Sequence, residues 1–122
     1  MVRGKTTMAT LPGRIRALFD EFHGGFKGKG GLNVVLYPDS CAGEFEIACG
    51  VQVKEGGNAS TPGGTAATTV YWGAYDLMKP AHEAIHEWAR ANGRQLGPSW
   101  EVYGHWSDDP AKVRTDVYYL VT

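Results

Sequence analysis

The chain has 122 residues, of which 43% are hydrophobic, and a formal net charge of -1 at pH 7. This length suits one domain with a single hydrophobic core and excludes two ordinary domains. Acidic and basic residues are interspersed, which argues against direct binding to nucleic acid or to an anionic membrane. No apolar run has the length of a signal peptide or of a membrane span, so we expect a cytoplasmic protein.

The first half of the chain predicts the element order βαββ. A short extended segment begins at Thr6 ("TTMAT"), and a turn with Gly13 leads into an amphipathic helix that stops at Gly24 and Gly25. Two strands follow, "LNVVLY", which ends at Tyr37, and "FEIACGVQV". The apolar residues that define the core face of this helix are Ile15, Leu18, Phe19 and Phe22.

The second half repeats this order. The extended segment "TTVYW" at Thr68 is followed by a turn with Gly73, a helix that ends at Gly93, and the strands "SWEVY", ending at Tyr103, and "RTDVYYLVT". The core face of this helix is predicted to comprise Leu77, Ala81, Ala84, Ile85 and Trp88.

These elements predict an α+β fold made of two pseudo-symmetric βαββ repeats in one domain, residues 1–122. The first repeat covers about 1–54, the Gly/Ser/Thr-rich linker about 55–67 and the second repeat about 68–122. Both helices are expected on one side of an antiparallel sheet. The other side would then be open and form a central ligand cleft.

Residues 82–86 read His-Glu-x-x-His, the helix motif of zinc peptidases. Relative to the predicted apolar face, His82 lies about 110° away and His86 about 150° away, so both are expected to face solvent. Catalytic zinc also needs a third ligand, whereas Asn92 stands where the extended motif has histidine and Glu101 is expected across the sheet. We interpret the motif as a solvated helix face, predict no metal ligand, and regard a zinc peptidase as the disfavoured alternative.

Glu101 is the residue that the repeat leaves unexplained. When the halves are aligned by Tyr37 and Tyr103, Glu101 stands where the first half has Val35. If Trp100 faces the helices, strand alternation places Glu101 and Tyr103 in the cleft together with Val35 and Tyr37. The aromatic surroundings are expected to raise the pKa of Glu101, and a lipophilic cation would restore its charge.

Two alternatives stay open for this strand. A partly protonated Glu101 suits general acid and base catalysis, whereas on a solvated sheet face it would have no special role and the aromatic residues would be ordinary packing. Trp88 and Trp100 are expected in the core, while Trp72 and Trp106 are expected to line the cleft.

From Val70 to Val121 the chain resembles the GyrI-like small-molecule-binding domains, which also serve as effector-binding domains of bacterial multidrug-responsive transcription activators. The resemblance rests on "GAYD" opening a helix, the "EW" and "NG" at the end of that helix, "WEVYGHWSDDP" and "RTDVYYLV". It extends more loosely to "LFDEF", "VVLYPD" and "CGVQV" in the first half, although "LPGRIRAL" lacks the Gly-x-Tyr of "GAYD".

The resemblance implies two SH2-like βαββ repeats and a hydrophobic cleft with one glutamate, matched here by Glu101. Members of this family bind lipophilic, often cationic or planar aromatic compounds. Some stand-alone members hydrolyse cyclopropane-bearing genotoxins with that glutamate and a tyrosine, and others inhibit DNA gyrase by protein contacts. Tyr103 matches the tyrosine of the E-x-Y motif.

We therefore expect a stand-alone protein that binds lipophilic small molecules without a cofactor. If it is an enzyme, the resemblance implies a hydrolase with Glu101 and Tyr103 as catalytic residues; an inhibitor or adaptor is a further alternative. The oligomeric state is left open by the sequence. The predicted ligand-binding residues are Glu101, Tyr103, Tyr37, Val35, Tyr71, Trp72 and Trp106.

Overall fold

The computed structural model describes residues 1–26, 30–38, 41–53, 57, 64–73, 78–104 and 108–121. Residues 74–77, which comprise the "AYD" of "GAYD" and Leu77 of the predicted helix stripe, lie outside the described residues, as do most of the linker and Trp106. Among the described residues, no helix is long and apolar enough to cross a membrane.

The fold is α+β, with one six-stranded antiparallel sheet and two helices. The strand order is β1-β3-β2-β5-β6-β4, so β2 of the first half and β5 of the second half form the central pair, and β1 and β4 are the outer strands. In chain order the elements are β1 (Val2–Thr6), α1 (Leu11–Gly25), β2 (Asn33–Tyr37), β3 (Phe45–Val51), β4 (Ala66–Trp72), α2 (Lys79–Ala91), β5 (Leu96–Tyr103), a 3₁₀ turn (Pro110–Lys112) and β6 (Arg114–Val121).

Both helices pack on the same face of the sheet, as expected. Val35, Glu101 and Val117 are directly opposite one another on β2, β5 and β6, so their side chains share a face. Leu18 of α1 packs in a buried cluster with Val35, and Ile85 of α2 packs in another with Val117. We call this side the helix face; α1 lies mainly on β1 and β3, and α2 on β4 and β6.

The first helix follows its predicted apolar stripe. Leu18 and Phe22 are buried, while Ile15 and Phe19 are partly buried against the same cluster. Leu18 is fully enclosed among Val35 and the other members of this cluster, Phe45, Ile47 and Cys49. This cluster therefore joins α1 to the first half of the sheet.

The predicted stripe of α2 is wrong at two positions. Ile85 and Ala89 are buried, whereas Trp88 is 43% exposed and Ala84 is exposed, so Trp88 is not a core residue. The helix ends at Ala91, and the turn after it contains Gly93, as expected, with a φ of 63° that glycine reaches without strain. The Arg94 amide then donates to the Ala89 carbonyl at 2.9 Å, which closes the last turn.

The start of the first half also differs from the prediction. The first strand ends at Thr6 and residues 8–10 form a turn, so "TTMAT" is the exit from a strand. Thr10 fixes this turn, since its hydroxyl accepts from the Thr7 amide at 3.2 Å. The second half follows the prediction more closely, although β4 begins two residues before Thr68.

The sheet face away from the helices is largely apolar near its centre. Trp100 is buried there, as expected, and its ring stacks on that of Tyr118 with an interplanar angle of 5°. Val34 and Ala48, on neighbouring strands, are also buried. Trp100 therefore occupies the side opposite the helices, not the side predicted for it.

We expect Leu18→Ala to lower the free energy of unfolding by about 2–5 kcal/mol, because it leaves a cavity between α1 and the sheet. Urea denaturation measures this change. Met8→Ala is the control: Met8 is 60% exposed, so a change within about 0.5 kcal/mol is expected. Equal losses in the two variants would contradict the described core.

Candidate functional site

Glu101 lies at the centre of the sheet on the helix face. In its row of directly opposed residues it stands between Val35 and Val117, both with 0% exposure, and Glu101 itself is only 4% exposed. A carboxylate between two buried valines has lost most of its water and needs hydrogen-bond donors from the protein. The prediction that the cleft lies on the face away from the helices is therefore wrong for this residue.

Three side chains donate to the Glu101 carboxylate. The hydroxyls of Tyr37 and Tyr103 donate to Oε1 at 2.6 and 2.9 Å. On the other oxygen, His82 Nε2 lies 2.7 Å from Oε2. The donors come from β2, β5 and α2, so the carboxylate links the two halves of the sheet to the second helix.

The hydrogen-bond chain continues beyond His82. Its Nδ1 lies 2.7 Å from the hydroxyl of Tyr119 on β6. An ionised carboxylate only accepts hydrogen bonds, so Nε2 must donate to Glu101. A neutral imidazole would then accept from the Tyr119 hydroxyl through Nδ1, whereas an imidazolium would donate to the Tyr119 oxygen. In both forms His82 bridges Glu101 and Tyr119.

The donors decide the charge of Glu101. Burial raises its pKa, but the hydrogen bonds from His82 and Tyr37, the attraction of His82 and the hydrogen bond from Tyr103 outweigh burial. The pKa of Glu101 is therefore lowered from 4.5, and the carboxylate is ionised near neutral pH. The sequence-based expectation of a raised pKa and a partly protonated group is wrong, because it considered the aromatic rings as apolar walls and not as hydroxyl donors.

The surrounding tyrosines stay neutral. Burial, followed by the nearby Tyr103 hydroxyl and the Glu101 charge, raises the pKa of Tyr37 well above 10.0. Burial and Glu101 do the same for the pKa of Tyr103. Burial first and then Glu101 raise the pKa of Tyr119 to about 12. Tyr37 and Tyr103 therefore donate to Glu101, and Tyr119 contacts His82, without adding negative charge.

The His-Glu-x-x-His motif is neither a metal site among the described residues nor a wholly solvated helix face, because His82 contacts Glu101. His82 faces the sheet with its side chain 25% exposed, so the prediction that it faces solvent is wrong. His86 is exposed, and its ring contacts Tyr119 edge-on with centroids 5.1 Å apart. Glu83 forms a surface ion pair with Lys79 at 3.7 Å. Among the described residues, no three His, Cys, Asp or Glu side chains are arranged to hold a metal ion.

Two other predicted ligand-binding residues, Tyr71 and Trp72, lie on opposite faces of the sheet. Tyr71 lies on the helix face and packs with the cluster of Met78, Ile85 and Val117. Trp72 is on the opposite face, 56% exposed, with the Arg114 guanidinium 5.8 Å from its ring centre.

The structure therefore brings Tyr37, Val35 and Tyr103 to Glu101 and does not bring Trp72 there. Val35 is fully buried beneath the surface. Trp106 and the adjacent His105 lie outside the described residues.

Two members of the site, His82 and Tyr119, were not predicted from the sequence. The predicted stripe of α2 left out the buried Met78 and Ala89 and included the exposed Ala84 and Trp88, and together these choices turned the predicted core direction away from His82. The spacing of Met78, Ile85 and Ala89 gives the observed direction, from which His82 deviates by only about 40°. Tyr119 lacked an equivalent signal, because either face of β6 presents tyrosine, at Tyr118 and at Tyr119.

The floor between the two helices is built by the central strands. Phe19 of α1 contacts Tyr103 edge-on, with ring centroids 6.2 Å apart, and His82 of α2 covers Glu101. Next to Tyr103 in the same row lies Thr115, whose fully buried hydroxyl has no hydrogen-bond partner within the described part of the chain. This floor combines one negative charge, aromatic rings and an unsatisfied hydroxyl.

No protein-family model matches the chain, and no curated protein matches its sequence. What the protein can bind or catalyse is therefore inferred from its own side chains, above all from the ionised Glu101 carboxylate.

The lowered pKa of Glu101 predicts a defined pH dependence of stability. The stabilisation is present above the ordinary carboxyl pKa of 4.5 and is lost as pH falls through the lower pKa of the folded state. We expect the free energy of unfolding of the wild type to fall relative to that of Glu101→Gln over this range, by about 1.4 kcal/mol per unit of pKa depression.

Urea denaturation at several pH values below about 6 measures this difference. Glu87→Gln is the matched control, because Glu87 is exposed and forms an ion pair with Arg90 on the helix surface. A wild-type minus Glu101→Gln difference that does not change with pH would contradict an ionised, stabilised carboxylate.

Proposed function

We propose that this protein binds lipophilic small molecules, above all organic cations and planar aromatic compounds, between its two helices. The observation that carries the proposal is the ionised Glu101 carboxylate on an apolar, aromatic floor. Such a floor favours compounds that combine a delocalised positive charge with ring surface. The resemblance to GyrI-like domains supports the same ligand class.

We also infer that the two βαββ halves are structural repeats. The strand order β1-β3-β2-β5-β6-β4 reads the same from both ends once β1, β2 and β3 are matched with β4, β5 and β6. Val35 pairs directly with Glu101 across the junction. A single charge at the junction therefore faces ligands that enter between the halves.

His82 defines how a cation would reach the carboxylate. Only 6% of the Glu101 side chain is exposed, while His82, which covers it, is 25% exposed. A cationic ligand would take the place of the imidazole at Oε2, while Tyr37 and Tyr103 keep their hydrogen bonds to Oε1. In this proposal His82 occupies the ligand position in the free protein.

A hydrolase is the second candidate, favoured by the hydrogen bond from the Tyr103 hydroxyl to the ionised Glu101. Glu101 would accept a proton from water as the water oxygen bonds to an electrophilic carbon of a strained ring. As the ring bond breaks, the Tyr103 hydroxyl would protonate the leaving carbon, and the proton on Glu101 would return to Tyr103. Cyclopropane-bearing compounds are the substrate class implied by the family resemblance.

For the binding proposal, we expect Glu101→Gln to weaken a lipophilic cation such as tetraphenylphosphonium by roughly 10-fold or more, since a charged interaction is lost. A neutral compound of similar shape should change little. His82→Ala should bind the cation at least as tightly as the wild type, and Glu87→Gln should not differ from it. Equal weakening of cation and neutral compound by Glu101→Gln would contradict the electrostatic role.

Isothermal titration calorimetry suits this experiment better than tryptophan fluorescence. Trp72 and Trp100 lie on the sheet face away from the helices, and Trp88 lies on the outer side of α2. These three described tryptophans would report weakly on events at Glu101. Heat is released or absorbed wherever the ligand binds.

For the hydrolase candidate, we expect turnover of a cyclopropane-bearing electrophile to fall by about 10²–10⁴-fold in Glu101→Gln. Binding of an unreactive analogue should persist in the same variant. Tyr103→Phe tests the proposed proton donor with the ring retained. Binding of the electrophile by the wild type without any turnover would reject this candidate and leave the binding proposal intact.

A further inference from the structure

The two outer strands of the sheet are protected very differently. The outer strand β1 has the sequence "VRGKT", and its Arg3 and Lys5 form ion pairs with Glu46 at 3.7 Å and Glu44 at 3.9 Å. The other outer strand, β4, reads "AATTVYW" and has no charged residue and no proline. Charges and proline are common means by which outer strands avoid pairing with other chains. β4 lacks both.

The main chain of β4 offers a regular set of hydrogen-bonding groups to a partner. The Val121 amide donates to the Thr65 carbonyl and the Gly73 amide to the Val113 carbonyl, both at 2.9 Å. In an antiparallel pair these bonds recur at every second residue, so odd-numbered residues of β4 point their main-chain groups at β6. The even-numbered residues point theirs outward, where no strand in the described part of the chain pairs with them: Ala66, Thr68, Val70 and Trp72.

Large apolar side chains are exposed on both sides of this edge. Val70 and Trp72, on the face away from the helices, are 42% and 56% exposed. On the helix side, Trp88 of α2 is 43% exposed. Beneath it a groove of about 490 Å³ runs between α2 and β4. The groove is lined mainly by small and apolar residues, among them Ala67, Thr69, Ala84, Ile85 and Trp88, with one charged residue, Arg94.

We propose that β4 pairs with the β4 strand of a second copy of this chain, about a twofold axis perpendicular to the sheet. Two antiparallel copies of one strand present the same alternation of donors and acceptors to each other, so the edge is complementary to itself. The result is one continuous sheet of twelve strands, twice the six of a single chain.

A second copy fits this edge better than an isolated peptide strand. A peptide added to β4 would satisfy the main-chain groups, but it would leave Trp88 exposed in the helix layer above. The copy places its own α2 beside the first one, so that the two Trp88 side chains and the two grooves face each other. Val70 and Trp72 meet their counterparts on the opposite face, and apolar surface on both sides of the sheet is buried together.

The experiment compares the mass of the protein in solution with that of two variants, by size-exclusion chromatography with light scattering. The wild type should have twice the chain mass of 13.2 kDa. Val70→Lys should reduce the mass to that of one chain. Val53→Lys is the matched control, because Val53 is 41% exposed and lies away from β4; it should remain a dimer.

Thr68→Pro is a second variant that tests the main-chain pairing itself. The Thr68 amide points outward, so proline there removes no hydrogen bond to β6 but removes one from the proposed junction. A monomeric, folded Thr68→Pro supports the proposal. A wild type that stays monomeric over about a hundredfold range of concentration overturns it. Dimers that persist in both variants also overturn it, because they would place the interface elsewhere.

Amide hydrogen exchange of the wild type gives a readout that needs no variant. The Thr68 and Val70 amides should exchange more slowly as protein concentration rises, because pairing with the copy buries them. Exchange of these two amides that does not depend on concentration would overturn the proposal. This result is independent of ligand binding at Glu101.

Discussion

The buried Glu101 carboxylate, with its three hydrogen-bond donors, is the interaction on which the arrangement of this protein depends. Tyr37, Tyr103 and His82 come from different elements and meet at one pair of oxygens. Removing the carboxylate from water carries a large cost unless these donors are in place. The position of α2 over the sheet and the closure of the central strands are therefore coupled to one ionised group.

The sequence was sufficient to predict the order of the elements and the core side of α1. A helical pattern is strong when one face of the helix is buried, as at Leu18 of α1. Strand β2 lacks such a signal, because Val34 and Val35 are buried on opposite faces, and Val35 was predicted on the side away from the helices. The same reasoning from a helical pattern failed on α2, where the exposed Ala84 and Trp88 were included in the apolar stripe and the buried Met78 and Ala89 were left out. Together these positions turned the predicted core direction away from His82.

The site was predictable in part. The mismatch between Val35 and Glu101 in the two halves identified the central residue, and strand alternation added Tyr37 and Tyr103. The charge state was not predictable, because it depends on which atoms of the aromatic residues reach the carboxylate. A phenyl ring and a phenol hydroxyl at the same position have opposite effects on a carboxyl pKa. Only the side-chain geometry distinguishes them.

The central position of β2 and β5 has a consequence for folding. The hydrogen bond between Tyr37 and Glu101 joins residues 64 positions apart in the chain, whereas each helix packs on strands of its own half. Closing so long a segment costs entropy that local contacts do not, so pairing of the central strands is expected late along the folding route. Neither half by itself contains Glu101 together with all three of its hydrogen-bond donors. A chain arrested before that last closure would have secondary structure but no functional centre.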